Sequence, residues 1–247
     1  MIDYLYDGTF DGYLTAIFDA YSDKEEVHIY KEKDYSPSLL AISKIVVTDA
    51  DKADRVYQSI YSKLSPSTLD NLYNVHLSFR EEADTLGFEY IKLCYKYGNN
   101  INLAKNNDII RGVDLINRQV WGETHNFFGF VRFKEIAPML FYAAIEPDNN
   151  ILPLMMNHFR KRFSDQHFII HDQKRHTAIF YDTKSIRLQY LTIEESETLA
   201  KAEIKDPFEV YFKTYFDATT IKSRINPRLQ NAHMPKRYYK HLIEVSK

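Results

Sequence analysis

Cysteine is almost missing from this 247-residue sequence: Cys94 stands alone. No disulfide can therefore form within the chain, and no zinc-finger or cluster-binding spacing exists. Cys94 lies in the amphipathic run Phe88-Glu-Tyr-Ile-Lys-Leu-Cys-Tyr95 with no adjacent histidine or basic residue to draw out a thiolate, so it reads as a buried structural thiol. Glycine and proline are also scarce, at 7 and 8, which excludes fibrous and low-complexity chains. Glycine-rich phosphate loops, Gly-x-Ser-x-Gly elbows and the His-x-Glu with Pro-Cys-x-x-Cys pattern of zinc deaminases are all absent. The longest apolar run, Ala137 to Ile145, falls well short of the roughly 20 residues a membrane helix needs. The first residues carry no basic-then-apolar signal, and the expectation is a soluble, cytoplasmic protein without a membrane partner.

Aromatic residues are abundant, with 19 Tyr and 16 Phe, and charge is unevenly spread although the net value is −2. Residues 1–60 hold 12 acidic against 6 basic side chains, and residues 221–247 hold 7 basic against 1 acidic. A basic C-terminal end facing a polyanion and mutual attraction between the two ends are both compatible with this asymmetry.

Periodicity divides the chain near residue 108. Residues 1–108 read as a mainly helical region with short N-terminal strands, at Ile2 to Tyr6, Val27 to Lys31 and Lys44 to Val47. Helices follow over Ala53 to Leu64, then from the Ser65-Pro66 cap, then from about Thr85 to Gly98. Residues 109–247 read as an antiparallel α+β region with a basic, helical C-terminal segment, and the two regions are also compatible with one integrated domain. A helix from Ile109 to about Trp121 leads to a hairpin of Phe127 to Phe133 with Met139 to Ile145. A helix from Ile151 to Arg162 follows, then strands at Phe168 to His171, His176 to Tyr181 and Ile186 to Leu191. That order predicts an antiparallel sheet with a helix packed on one face. A further helix, capped by Asp206-Pro207, is expected to bury Phe208, Tyr211, Phe212 and Tyr215.

The chemistry concentrates between Glu123 and Arg187. Glu123 lies two residues from His125, a spacing that lets a carboxylate orient an imidazole for acid/base work, with Asp172 as a further candidate catalytic group. Arg132 ends the aromatic run Phe127-Phe-Gly-Phe-Val-Arg132-Phe, where a guanidinium can stack on a base or grip a phosphate. It can equally snorkel at a sheet edge. His158 and Arg162 lie on one helix and Arg175 in a polar turn; with Arg132 they form the candidate phosphate-binding set. The helix end Arg160-Lys-Arg162 also suits plain solvation beside a C-terminal dipole. His125, His158 and His171 could converge from separate elements, yet no His-x-x-x-His or cysteine signature accompanies them, and no metal ion is expected. Arg224, Arg228, Lys236 and Arg237 interleave with Tyr238 and Tyr239, a mixture suited to a nucleic-acid backbone and unpaired bases.

Tyr6-Asp-Gly-Thr-Phe-Asp-Gly-Tyr-Leu-Thr-Ala-Ile-Phe-Asp-Ala-Tyr21, Glu123 through Phe133, Glu146-Pro-Asp148, His158-Phe-Arg160, Asn226-Pro-Arg228 and Met234-Pro-Lys-Arg237 carry a resemblance over nearly the whole chain. It resembles a bacterial family assigned to DNA metabolism and repair, whose genes commonly sit beside that of a radical-SAM protein. In some relatives the module is fused to a domain of the uracil-DNA glycosylase type; this chain resembles the stand-alone form. The resemblance implies DNA as a partner, together with a separate radical-SAM protein. It carries no reaction and no catalytic residues. A nucleic-acid or modified-nucleotide binder without a cofactor of its own is the leading expectation. The alternatives are a hydrolytic or base-processing enzyme with a His/Glu/Arg site, and a non-catalytic scaffold for the partner.

Overall fold

The chain starts with a strand buried along its whole length, β1 (Ile2–Tyr6), which a computed structural model places at the centre of a three-stranded parallel sheet. Residues 1–201 and 207–242 are described. Parallel neighbours need a crossover. It is supplied by α1 (Phe10–Ala20), which leads to β2 (Val27–Lys31), and the third strand is β3 (Ile42–Ile45). The tight turn into α1 uses Gly8 at φ +85°, and Thr9 caps the helix by accepting from the Gly12 N–H. Gly12 admits no side chain, because a Cβ there would stand 2.3 Å from Asp7 Oδ1.

Three capped helices follow. Asp49 starts α2 (Ala50–Lys63), Ser65 with Pro66 starts α3 (Pro66–Leu77), and α4 (Ala83–Tyr97) stops at Gly98, φ +73°. Their buried faces join β1 and α1 in a core that includes Tyr6, Tyr13, Leu72, Phe88 and Ile91. Cys94 belongs to that core, its thiol pushed up to about 11 by burial. The chain divides into two compact units, Met1–Trp121 and Gly122–Lys247.

The boundary falls within α5 (Asp108–Phe130), which corrects the expected strand at Phe127 to Phe133. Ile110, Val113, Ile116, Val120, Thr124 and Phe127 are buried at intervals of three or four. Phe127 thus continues a helical period begun seventeen residues earlier, and that period overrides the strand preference of the local aromatic run. Phe128, Phe130 and Arg132 consequently do not share a strand face. The hairpin starts later, with β4 (Lys134–Ala137) and β5 (Leu140–Ile145).

In Gly122–Lys247, α6 (Leu152–Arg162) carries the chain from β5 to β6 (His167–Asp172), and β7 (Thr177–Tyr181) and β8 (Ile186–Tyr190) complete a sheet of order β4-β5-β6-β7-β8. The α+β class and the packed helix agree with the periodicity. One pairing differs from a wholly antiparallel sheet: β5 and β6 run parallel, because a helical crossover returns the chain to the end at which it started. Phe168 and Ile170 of β6 face α6 and the main core, and Ile169 faces the other side with Tyr142 and Ala178. Among the described residues, the sheet is followed by α7 (Ile193–Ala200), α8 (Pro207–Thr219) and α9 (Pro227–His233), with single turns at Lys222–Arg224 and Lys236–His241. Tyr211, Phe212 and Tyr215 are exposed at 67%, 37% and 65%, not buried as expected. Helical spacing specifies which residues share a face, not what covers it. Asp206 and the side chain of Phe208 lie outside the described residues.

Candidate functional site

The turn after β5, Glu146-Pro147-Asp148-Asn149, is the point on which the unit's charged residues converge. Glu123 reaches it from α5 and is buried. Its carboxylate accepts the backbone N–H groups of Asp148 at 2.7 Å and Asn149 at 2.8 Å, the Asn149 side-chain amide at 2.7 Å and the Tyr238 hydroxyl at 2.6 Å. A carboxylate offers about four acceptor positions. All are occupied, so Glu123 fixes the loop's backbone.

Arg175 grips the same loop from the β6–β7 hairpin. Its guanidinium donates to the carbonyl oxygens of Pro147, at 3.0 Å, and Asp148, and at 2.8 Å to Asp172 Oδ2. Asp172 is wholly buried, and its other oxygen accepts the N–H groups of Lys174 and Arg175. Burial raises its carboxyl above the ordinary range against the opposing pull of Arg175. Arg237 pairs with Asp148 at 2.9 Å and lies 4.7 Å from the Tyr238 ring centroid; Lys240 and His241 pair with Glu146. Burial would raise Glu146, but Lys240 and His241 outweigh it and hold that carboxyl low. Glu123, Asp172, Arg175 and Arg237 therefore come together, in one clamp on one loop.

His125, His158, Arg162 and Arg132 belong to a different arrangement. His125 is exposed on α5, and one turn later Phe128 meets it edge-on at 6.3 Å. Phe128 then stacks on His158 of α6, with centroids 4.0 Å apart and planes 12° from parallel. Burial and then Arg162 lower the His158 imidazole, whose buried Nε2 has no hydrogen-bond partner. A neutral ring results, suited to lying against another aromatic plane. Arg162 is exposed one turn further along α6, 5.7 Å from the Phe163 ring centroid. Arg132 follows the end of α5, where it donates to Gly129 O and lies over Phe212 at 5.8 Å. The result is a stacked pair of rings, with His125 at its edge and the Arg162 guanidinium one turn along α6, while Arg132 meets Phe212. It can offer stacking faces and positive charge together.

On the sheet's other face a chain of polar groups runs inward. Tyr142 Oη lies 2.9 Å from His171 Nδ1, His171 Nε2 is 2.9 Å from Ser196 Oγ, and Ser196 Oγ is 2.9 Å from His176 Nδ1. His171 is fully buried, and burial, with His176 and His241, lowers its imidazole to about 4. A neutral imidazole has one donor and one acceptor nitrogen, so His171 can serve Tyr142 and Ser196 together, one bond donated and one accepted. Ser196 comes from α7, started by a capping box of Thr192 and Glu195. That box is visible as Thr-x-x-Glu; the meeting of Ser196 with His171 and His176 is not.

Of the C-terminal cations, Arg224, Arg228 and Lys236 are exposed, whereas Arg237 is committed to the clamp. Among the described residues, no group of three or more His, Cys, Asp or Glu is placed to hold a metal ion, and no helix is long and apolar enough to cross a membrane.

Fold and clamp together define an α+β protein whose C-terminal unit is organised around one acidic loop. A family model described as a domain of unknown function, DUF4130, matches residues 81–244, and the chain belongs to that family. The match takes in α4, α5, the five-stranded sheet and the clamp. No curated protein matches the chain.

Proposed function

We propose that this chain binds nucleic acid in DNA metabolism, through the strip that runs from His125 over Phe128 and His158 to Arg162, with Arg132 as a further cation in the same unit. The carrying observation is the 4.0 Å stack of His158 on Phe128 next to an exposed guanidinium. Base stacking on an aromatic or imidazole plane needs a flat ring held in place, and the neighbouring charge draws the phosphodiester backbone to it. The saturation of Glu123 favours binding over a hydrolytic reading in which Glu123 and His125 work as a pair. Glu123 instead fixes the loop, and His125 meets the Phe128 ring edge-on. The radical-SAM protein implied by the sequence resemblance acts as a separate partner and carries the iron–sulfur cluster, since such clusters are held by several thiolates and this chain has one buried cysteine.

The test is an anisotropy titration of a labelled single-stranded oligonucleotide with the natural protein, His158→Ala and Phe128→Leu. Loss of one stacking plane costs about 1–3 kcal/mol per base, or roughly 5- to 150-fold in Kd. Equal affinity for all three proteins, each folded, refutes the assignment.

A further inference from the structure

The two edges of the three-stranded sheet are finished differently. Along β2 the outward backbone groups of Ile29 are satisfied by a side chain: its N–H donates to Thr85 Oγ1 at 2.9 Å, and that hydroxyl donates back to the Ile29 carbonyl at 3.2 Å. Thr85 belongs to α4, which packs against this edge. β3 forms the other edge, and among the described residues β1 is the only strand paired with it. Ile42 and Val46 send their N–H groups inward, to Met1 O at 3.2 Å and Leu5 O at 2.7 Å. Strand alternation then turns the N–H and C=O groups of Ser43 and Ile45 outward, where no strand meets them.

The side chains there are as open as the backbone. Leu39, Leu40, Ile42, Ile45 and Val47 are all exposed, Leu40 at 86% and Val47 at 82%. Edge strands of soluble proteins are usually guarded by charge, above all by lysine. Residues 35–48 contain a single charged side chain, Lys44, and it is committed inward, donating to Asp23 Oδ2 at 3.2 Å and to Tyr4 Oη at 3.0 Å. We propose that β3 is a dimer interface, at which a second copy of this chain adds its own β3 antiparallel, about a two-fold axis at Ser43.

The occupant follows from the edge itself. Unpaired donors and acceptors at strand spacing call for extended backbone, which a lipid or nucleic-acid surface does not supply. An edge whose one charge is already compensated gives a charged peptide nothing to pair with. The same edge on a second copy matches it in polarity and in hydrogen bonding, as a two-fold contact requires. Charge also selects the register: pairing centred on Lys44 would set like charges directly opposite, which is destabilising. Pairing centred on Ser43 sets Ile45 against Ala41 of the second copy and brings each Leu39-Leu40 turn to the other copy's Val47, so all five apolar residues are covered. They offer on the order of 600 Å² per copy, so the pair buries about 1,200 Å², the lower end for a specific interface.

Sedimentation velocity on the full chain, loaded up to about 100 μM because so small an interface holds with a micromolar Kd, tests this. A species of twice the 29.2 kDa chain mass should grow with concentration. Ser43→Pro removes only an outward N–H, a change that edge strands tolerate. It should weaken association about tenfold or more, since each copy loses a bond across the axis, and leave the circular dichroism spectrum unchanged. Ile45→Lys, which sets a charge into the apolar contact, should do the same and serves where the proline variant fails to fold. Under mild oxidation S43C should give a disulfide-linked dimer, because directly opposite Cα atoms stand about 5.5 Å apart. V47C should not, since its two copies would lie about eight strand residues apart, roughly 26 Å. Cys94 is buried and does not compete. A natural protein that stays monomeric over the whole range, association unaltered in both S43P and I45K, or equal crosslinking of S43C and V47C overturns the proposal.

Discussion

Replacing Glu123 with Gln isolates the loop clamp, because it keeps the size of the side chain and removes its charge. The natural carboxylate satisfies four donors, the N–H groups of Asp148 and Asn149, the Asn149 amide and the Tyr238 hydroxyl. Glutamine leaves one oxygen to accept and turns an NH2 group toward donors. About half of the bonds are lost in a buried place where each unsatisfied group costs about 1–3 kcal/mol. The expected loss of stability is about 3–4 kcal/mol, seen as a fall of roughly 10 °C in Tm by circular dichroism. Tyr238→Phe removes one donor and leaves the carboxylate its other three, so it should cost only about 1 kcal/mol. The double variant should be less destabilised than the sum, since both changes break one bond. A Glu123→Gln protein within about 0.5 kcal/mol of the natural one, below any buried hydrogen-bonded charge of this kind, would refute the anchoring role and return Glu123 to acid/base chemistry.

Arg175→Lys should cost about 2 kcal/mol, because a point charge cannot span two carbonyls and a carboxylate as the guanidinium fork does; urea denaturation checks it. His171, held at about 4 in the fold against about 6.5 unfolded, is protonated in the unfolded chain first as pH falls. Stability should therefore be lost as pH drops from about 6.5 to about 4, by up to about 3 kcal/mol. His171→Gln should flatten that slope in amide exchange along β6, and an unchanged slope would place the titration elsewhere. For the C-terminal cations, Arg224, Arg228 and Lys236 should be changed to Gln together with Arg237 left intact, since Arg237 holds Asp148. Three lost phosphate contacts flatten the log–log salt slope on single strands by about 2, and an unaltered slope removes these cations from the interface.

Local chemistry carried much of the fold into view. Ser65-Pro66 announced α3 and the run Val27 to Lys31 announced β2, because a cap and a strand pattern are each written in a few adjacent residues. Phe127 to Phe133 misled for the same reason: seven residues looked like a strand while the helical period that claims the first four of them began at Ile110. Concentration in one stretch suggested that Glu123, His125, Arg132, His158, Asp172 and Arg175 would cluster; Glu123, Asp172 and Arg175 meet on one loop, and the other three do not join them. The dependence of Glu123 on Tyr238, 115 residues away, has no local sign. Tyr6 and Asp84 are 78 residues apart and meet only through the parallel sheet and the helices packed on it. No local spacing encodes such pairs.

The nucleic-acid reading is tested most directly by ultraviolet crosslinking of the full chain to a single-stranded thymidine oligonucleotide, followed by sequencing of the attached peptides. The account predicts attachment at Phe128 and His158 or their immediate neighbours on α5 and α6, reduced in Phe128→Leu and His158→Ala. Crosslinks confined to Met1–Trp121, or a yield unchanged by either substitution, would contradict it.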